Sequence, residues 1–244
     1  MRNVIVTGAS RGLGLSISTV LAAAGYRVIA IARRCSEPLQ AAAAAAGASA
    51  AGAIEFRPYD LLDVEGIAEL VRGLRKDFGP LYGLVNNAGV GTGGILGNMR
   101  LKEIERLVRL NTVAPMILTK YALRSMMIER SGRIVNIASI TALTGYSGLS
   151  VYSATKASLL GFTRSLAREV GSFDITVNAI APGLFLTDMT QEIDAEQLAR
   201  ITRRSALKRL AEPIDIARNV LNLVGDAGRN ITGTVITIDA GNSA

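Results

Sequence analysis

The 244 residues are 49% apolar and 19% charged, with 27 lysines and arginines against 20 acids for a net charge of +7, one cysteine and no histidine. Such a chain reads as one large α/β domain, residues 1–244, able to bury its core without staples. Cys35 alone excludes an intramolecular disulfide, and the lack of histidine removes the commonest general base and metal ligand. Acid–base work near neutral pH then falls to a tuned tyrosine, lysine or carboxylate, no metal is expected, and scattered basic residues with few aromatics argue against nucleic acid.

Met1-Arg2-Asn3 runs straight into the apolar Val4-Ile5-Val6, leaving no room for a signal peptide, and no stretch has the length and hydropathy of a membrane helix, so a cytoplasmic protein is expected. Val4–Val6 predicts a buried strand, followed by the turn Thr7-Gly8-Ala9-Ser10-Arg11-Gly12-Leu13-Gly14 and a helix over Leu13–Ala24. The spacing of Gly8, Gly12 and Gly14 departs from G-x-G-x-x-G but serves the same purpose. Glycines let backbone approach closely, and the helix start offers amides and a positive dipole end to a pyrophosphate. A second strand, Val28–Ile31, ends at Arg33 and Arg34, where a dinucleotide fold often carries an acid for the ribose hydroxyls. Guanidinium groups at Arg33 and Arg11 would instead pair with a 2′-phosphate, which points to NADP(H); an arginine at a strand end can also be merely exposed.

The run Ala41–Ala46 predicts a small-residue surface helix, and Ala53–Arg57 a short strand. Strand-like Leu84-Val85, Ile134–Ile137, Thr176–Ile180 and Val235–Ile238 then alternate with helical periodicity over Val64–Phe78, Leu101–Arg130, Tyr152–Val170 and Ile214–Gly225. The alternation predicts a Rossmann-type, doubly wound, mainly parallel sheet of seven strands flanked by helices, with ligands beyond the carboxyl ends of the strands. Tyr152 and Lys156 stand four apart and share a helix face. A cation there would lower the phenol's pKa toward neutrality; the same spacing also suits a packing pair with a snorkelling amine. Asp60 can border a ligand or cap a helix, and Ser139, just after a strand, can be a turn cap.

Thr7–Gly14, Asp60-Leu61, Asn86-Asn87-Ala88-Gly89, Asn111, Ser139, Tyr152-x-x-x-Lys156, Pro182-Gly183 and Thr187 stand in an order and spacing that resembles the short-chain dehydrogenases/reductases across essentially the whole chain. The resemblance implies a homotetramer, with Asp60 and Leu61 bordering the adenine, Asn87, Ala88 and Gly89 lining the adenosine side, and Pro182, Gly183, Phe185 and Thr187 at the nicotinamide end. Asn86 would brace the sheet. Tyr152 would protonate the carbonyl oxygen and Ser139 hydrogen-bond it. Lys156 would lower the tyrosine's pKa and bind the ribose, and Asn111 would hold a water leading to solvent. Residues 149–189 most resemble 3-oxoacyl-acyl-carrier-protein reductases, and Arg130 matches a basic position that docks the acidic carrier protein. Phe173 stands where many of them have a second docking arginine, and Val90–Leu96 lacks their usual charged sequence. A substrate lid is expected near residues 187–209. These features imply NADPH-dependent reduction of a 3-oxoacyl thioester. The alternatives are an alcohol dehydrogenase or ketone reductase for free small molecules or polyketides, and a non-catalytic NADP-sensing protein.

Overall fold

A computed structural model of the chain describes residues 1–49, 51–91, 93–185 and 195–244. The apolar runs form strands because both of their faces are covered, so no polar alternation is needed. β1 (Asn3–Thr7), β4 (Leu81–Asn86), β5 (Gly132–Ile137) and β6 (Ile175–Pro182) are buried at every position. β2 (Arg27–Ala32), β3 (Ala53–Pro58) and β7 (Val235–Ile238) complete one parallel sheet in the order β3-β2-β1-β4-β5-β6-β7. The expected seven strands are thus all present.

Helices cover both faces. α1 (Gly12–Ala23), α2 (Glu37–Ser49) and α8 (Pro213–Val224) lie on one side, where Ile17 and Leu21 share a core with Leu39, Ile216 and Val220. On the other, α3 (Ile67–Phe78), α5 (Ala114–Glu129) and α6 (Ser150–Val170) bury Val71, Leu118 and Leu166 against Ile5, Leu84 and Ile134. α4 (Leu101–Val108) precedes α5, and α7 (Ala195–Arg204) precedes α8.

The helix expected over 101–130 is interrupted: Arg109–Val113 is a π-helical turn between α4 and α5. Pro115 supplies the reason, because it has no N–H to return to the Asn111 carbonyl as an α-helix requires. The turn buries Asn111 between α6 and the loop after β4. A polar ladder braces the sheet centre as expected of Asn86, whose Nδ2 donates to Thr119 Oγ1 (3.0 Å) and Asn136 Oδ1 (2.8 Å); Asn136 donates in turn to Thr163 (2.9 Å). β1 pairs with both β2 and β4, so successive crossovers leave it in opposite directions and open a crevice at the carboxyl ends of the strands.

Candidate active site

The crevice is a cleft of about 330 Å³. Its floor begins at the turn after β1. Gly8 has φ +67°, and a Cβ at Gly14 would overlap the Gly8 carbonyl oxygen and the Asn87 amide, so α1 starts closer to β1 and β4 than any side chain would permit. Asn87 locks this approach, its Nδ2 donating to the Thr7 carbonyl (2.8 Å), while Thr7 Oγ1 accepts from the Asn87 and Ala88 amides (3.0 and 2.9 Å). Ser36 ties the other flank by donating to the Ser10 carbonyl and accepting from Leu39 N at the start of α2.

The first turn of α1 carries no acidic residue and has no side-chain cap from Arg11. α8 is the contrast, with Asp215 in its first turn accepting the Glu212 amide (2.9 Å) and Pro213 filling a position that needs no donor. A helix start left without a carboxylate, opening on a cleft rimmed by Arg11 and Arg33, fits an anionic ligand such as a pyrophosphate. Ser10, Gly12 and Leu13 line the same end.

Asp60 caps no helix, since α3 begins only at Ile67 after Gly66. It lines the cleft, and its Oδ1 accepts the Leu62 amide (3.0 Å), shaping the loop that also presents Leu61. Arg109 braces that loop from the π-helical turn, its Nε donating to the Leu62 carbonyl (2.7 Å) and its Nη2 pairing with Glu65 (2.6 Å). Arg106, one turn earlier, lines the cleft as well. Neither arginine was singled out from sequence; their spacing of three, one helical face, is the signal that could have found them.

Ser139, Tyr152 and Lys156 converge at the opposite end, joined by Pro182, Gly183 and Phe185. Ser139 opens a short 3₁₀ turn, Ile140–Ala142, and its Oγ accepts from both Thr141 N (3.2 Å) and Thr141 Oγ1 (3.0 Å). Its cap role is therefore real, and the two donors leave its own proton directed elsewhere. Lys156 is only 5% exposed; its Nζ donates to the Ile137 carbonyl (2.8 Å), and burial pushes its pKa down to about 8. The phenol of Tyr152 is pushed up by burial, with the Ser139 hydroxyl pulling the other way. This corrects the expectation that Lys156 acidifies the tyrosine: the ammonium lies 5.9 Å from the ring centroid and is engaged by Ile137, so the four-residue spacing does not by itself couple the two charges.

Asn111 stands behind the cleft wall. Its Oδ1 accepts from Val90 N (3.0 Å), and its Nδ2 donates to the Val90 carbonyl (2.9 Å) and Thr155 Oγ1 (3.1 Å). Gly89 is pressed against it: a Cβ there would stand 3.2 Å from Asn111 Oδ1 and 3.3 Å from Lys156 Nζ. Thr187 and residues 188–194 of the expected lid lie outside the described residues, and the remainder of that span holds α7, Leu207 and Lys208. Arg130 lies away from the cleft, at the amino end of β5. It donates to the Ser172 carbonyl (2.8 Å) with its guanidinium 5.6 Å from the Phe173 ring centroid.

A profile of the short chain dehydrogenase family matches residues 2–198. The chain is 38% identical over 237 residues to a 3-oxoacyl-[acyl-carrier-protein] reductase FabG of Haemophilus influenzae, covering 97% of this chain and 96% of that protein. Among solved structures, one from Sinorhizobium meliloti 1021, described as a short-chain alcohol dehydrogenase, superposes with a TM-score of 0.93 at 34% identity, covering 99% and 96% of the two chains. A blue fluorescent protein from a metagenomic library, in complex with NADPH, gives 0.92 at 32% identity, covering 100% and 98%.

Proposed function

Because this chain belongs to the short-chain dehydrogenase family, and so is an oxidoreductase acting on the CH–OH/C=O couple, we propose that it uses NADPH to reduce the ketone of a 3-oxoacyl thioester carried on acyl carrier protein. The observation that carries this reading is the cleft's polarity: Ser139, Tyr152 and a buried Lys156 gather at one end, and an uncapped helix start between two arginines occupies the other. The bound dinucleotide would supply the hydride. Arg33 and Arg11 would hold its 2′-phosphate and the α1 amides its pyrophosphate, and the NADPH complex of the related metagenomic protein supports that choice of cofactor. Asp60, Leu61, Asn87, Ala88 and Gly89 would receive the adenosine half. Pro182, Gly183 and Phe185, with Thr187, would receive the nicotinamide.

A carbonyl carbon that gains hydride leaves an alkoxide needing a proton and donors already aimed at it. Ser139, with its Oγ accepting twice from Thr141, would donate its proton to that oxygen. Tyr152 would transfer a proton to it. Its raised pKa keeps the phenol protonated until the alkoxide, a far stronger base, forms beside it. Lys156, at about 8, stays mostly cationic at pH 7, which suits the ribose hydroxyls. Asn111 would serve this site by fixing the Val90 loop against α6, the position from which it could hold a water for proton return.

The thioester assignment draws on relatives named for that reaction. Among the described residues no helix is long and apolar enough to cross a membrane, and we read the protein as cytoplasmic. Exposed Leu101, Val108 and Ile128 on α4 and α5 support a homotetramer buried through those helices. One feature favours a second reading, a ketone reductase for free small molecules: Phe173 replaces the second docking arginine. NADPH oxidation with acetoacetyl-carrier protein, compared with the same acyl group on a small thiol and with NADH in place of NADPH, tests these choices. Preference for the carrier-bound substrate and for NADPH is expected. Equal or absent turnover on both thioesters would move the assignment to a free ketone.

A further inference from the structure

A serine hydroxyl carries one proton and two lone pairs, so the neighbours that fill the lone pairs decide where the proton goes. At Ser139 a single residue fills both. Thr141 donates to Ser139 Oγ from its backbone N (3.2 Å) and again from its own Oγ1 (3.0 Å). The remaining neighbour is the Tyr152 phenol, whose pKa burial raises and a hydrogen bond with the Ser139 hydroxyl lowers. Thr141, Ser139 and Tyr152 thus form a chain of three hydroxyls. The last two line the cleft and Thr141 does not.

The turn that carries Thr141 is closed without its hydroxyl. Ala142 N donates to the Ser139 carbonyl (3.0 Å), and Leu143 N and Thr144 N donate to the carbonyl of buried Ile140 (2.9 and 3.0 Å). Thr144 Oγ1 adds a bond to the same carbonyl (3.1 Å). Just ahead of the serine, Ala138 N donates to the Ile180 carbonyl (2.7 Å), which fixes the backbone to β6. The Thr141 hydroxyl is therefore spent on Ser139 Oγ. Without it, one lone pair of the serine would open beside the phenol. Tyr152 would then have a protein acceptor for the proton that a substrate oxygen needs, and the serine's own proton would lose its fixed direction.

We propose that Thr141 is a positioning residue for the reaction: its hydroxyl fills the second lone pair of Ser139, so that Ser139 serves only as a donor and Tyr152 keeps its proton for the substrate oxygen. Thr141 acts through Ser139 alone. A hydroxyl that already accepts a hydrogen bond is polarised into a stronger donor, so Ser139 holds the developing alkoxide, and the phenolate left after proton transfer, more firmly. The proposal rests on the carbonyl-reductase reading of the cleft.

Thr141→Val removes the hydroxyl at nearly constant shape, and Thr141→Ser keeps it. Loss of one neutral hydrogen bond corresponds to about a five-fold change in rate. The single-turnover rate of NADPH oxidation with acetoacetyl-carrier protein should fall by that factor in Thr141→Val and recover in Thr141→Ser. KM for the thioester and the NADPH dissociation constant should stay unchanged. An undiminished rate would overturn the proposal, as would a loss that Thr141→Ser does not restore, which is a disturbance of the turn. A second arm needs no turnover. In protein labelled with carbon-13 at tyrosine Cζ, the Tyr152 signal, identified by its absence from Tyr152→Phe, should begin to titrate a few tenths of a unit higher in pH in Thr141→Val than in the parent, because a weaker donor stabilises the phenolate less. An unmoved titration also overturns it. If the unmodified protein reduces no thioester, the reductase reading fails, while the titration still decides whether Thr141 polarises Ser139.

Discussion

At the scale of single residues, the site is governed by burial more than by charge pairing. Lys156 is a cation enclosed in protein with one carbonyl partner, and its pKa of about 8 stands below the ordinary 10.5. The sign follows from proton counts. Below pH 8 the amine is charged whether folded or unfolded, and the cost of burying it is fully present. Between about 8 and 10.5 the unfolded chain holds a proton that the folded one lacks, so the penalty is relieved as pH rises. Lys156→Met should therefore gain stability relative to the parent at pH 7, and the advantage should shrink by roughly 2 kcal/mol by pH 10, as read from urea unfolding at both values. A difference independent of pH would mean that the amine is hydrated in the folded protein. The pairing of Tyr152 with Lys156 was legible as a spacing of four on a helix. What the spacing did not contain is the Ile137 carbonyl that engages the amine, because that atom comes from β5, nineteen residues earlier.

At the scale of elements, the cofactor end is made by how closely α1 starts against β1 and β4. Gly14 sits where a Cβ would overlap backbone of the preceding turn and the side chain of Asn87. Gly14→Ala should destabilise the fold by about 1–3 kcal/mol through overpacking and weaken NADPH binding more than ten-fold, measured by denaturant unfolding and by nucleotide fluorescence titration. Binding preserved at full strength would show that the α1 amides do not meet the pyrophosphate. The glycines were readable because their order after an apolar strand is a local property. The break in the helix after Leu101 is not legible in the sequence despite Pro115, because apolar periodicity continues through the π-helical turn and only the backbone geometry reveals the extra residue. That turn aims Asn111 at Val90 and Arg109 at Leu62, so one irregularity serves both ends of the cleft.

At the scale of the whole molecule, the parallel sheet separates two features that sequence placed in one function. The cleft opens at the carboxyl ends of the strands, whereas Arg130 precedes the amino end of β5, a strand of six residues and so about 20 Å long. A carrier protein docked at Arg130 would face away from its own subunit's cleft and serve the cleft of another copy. Assemblies that mix Arg130→Ala with Tyr152→Phe subunits should then regain activity on carrier-bound substrate that neither variant shows alone, measured as NADPH oxidation after co-refolding; no recovery would place docking and chemistry in the same subunit. The sequence by itself determined the alternation of strands and helices, the glycine turn, the arginine at the end of β2 and the Tyr152-to-Lys156 spacing. Each is written in residues close together along the chain, where steric and periodic rules act. Tertiary structure alone decided which carbonyl holds Lys156, that Arg106 lines the cleft while Arg109 braces the Leu62 loop, that Asn242 reaches Tyr146 across 96 residues, and that Arg130 lies at the far end of the sheet. Those depend on strand order and helix packing, through which groups distant in sequence are brought within hydrogen-bonding reach or held apart.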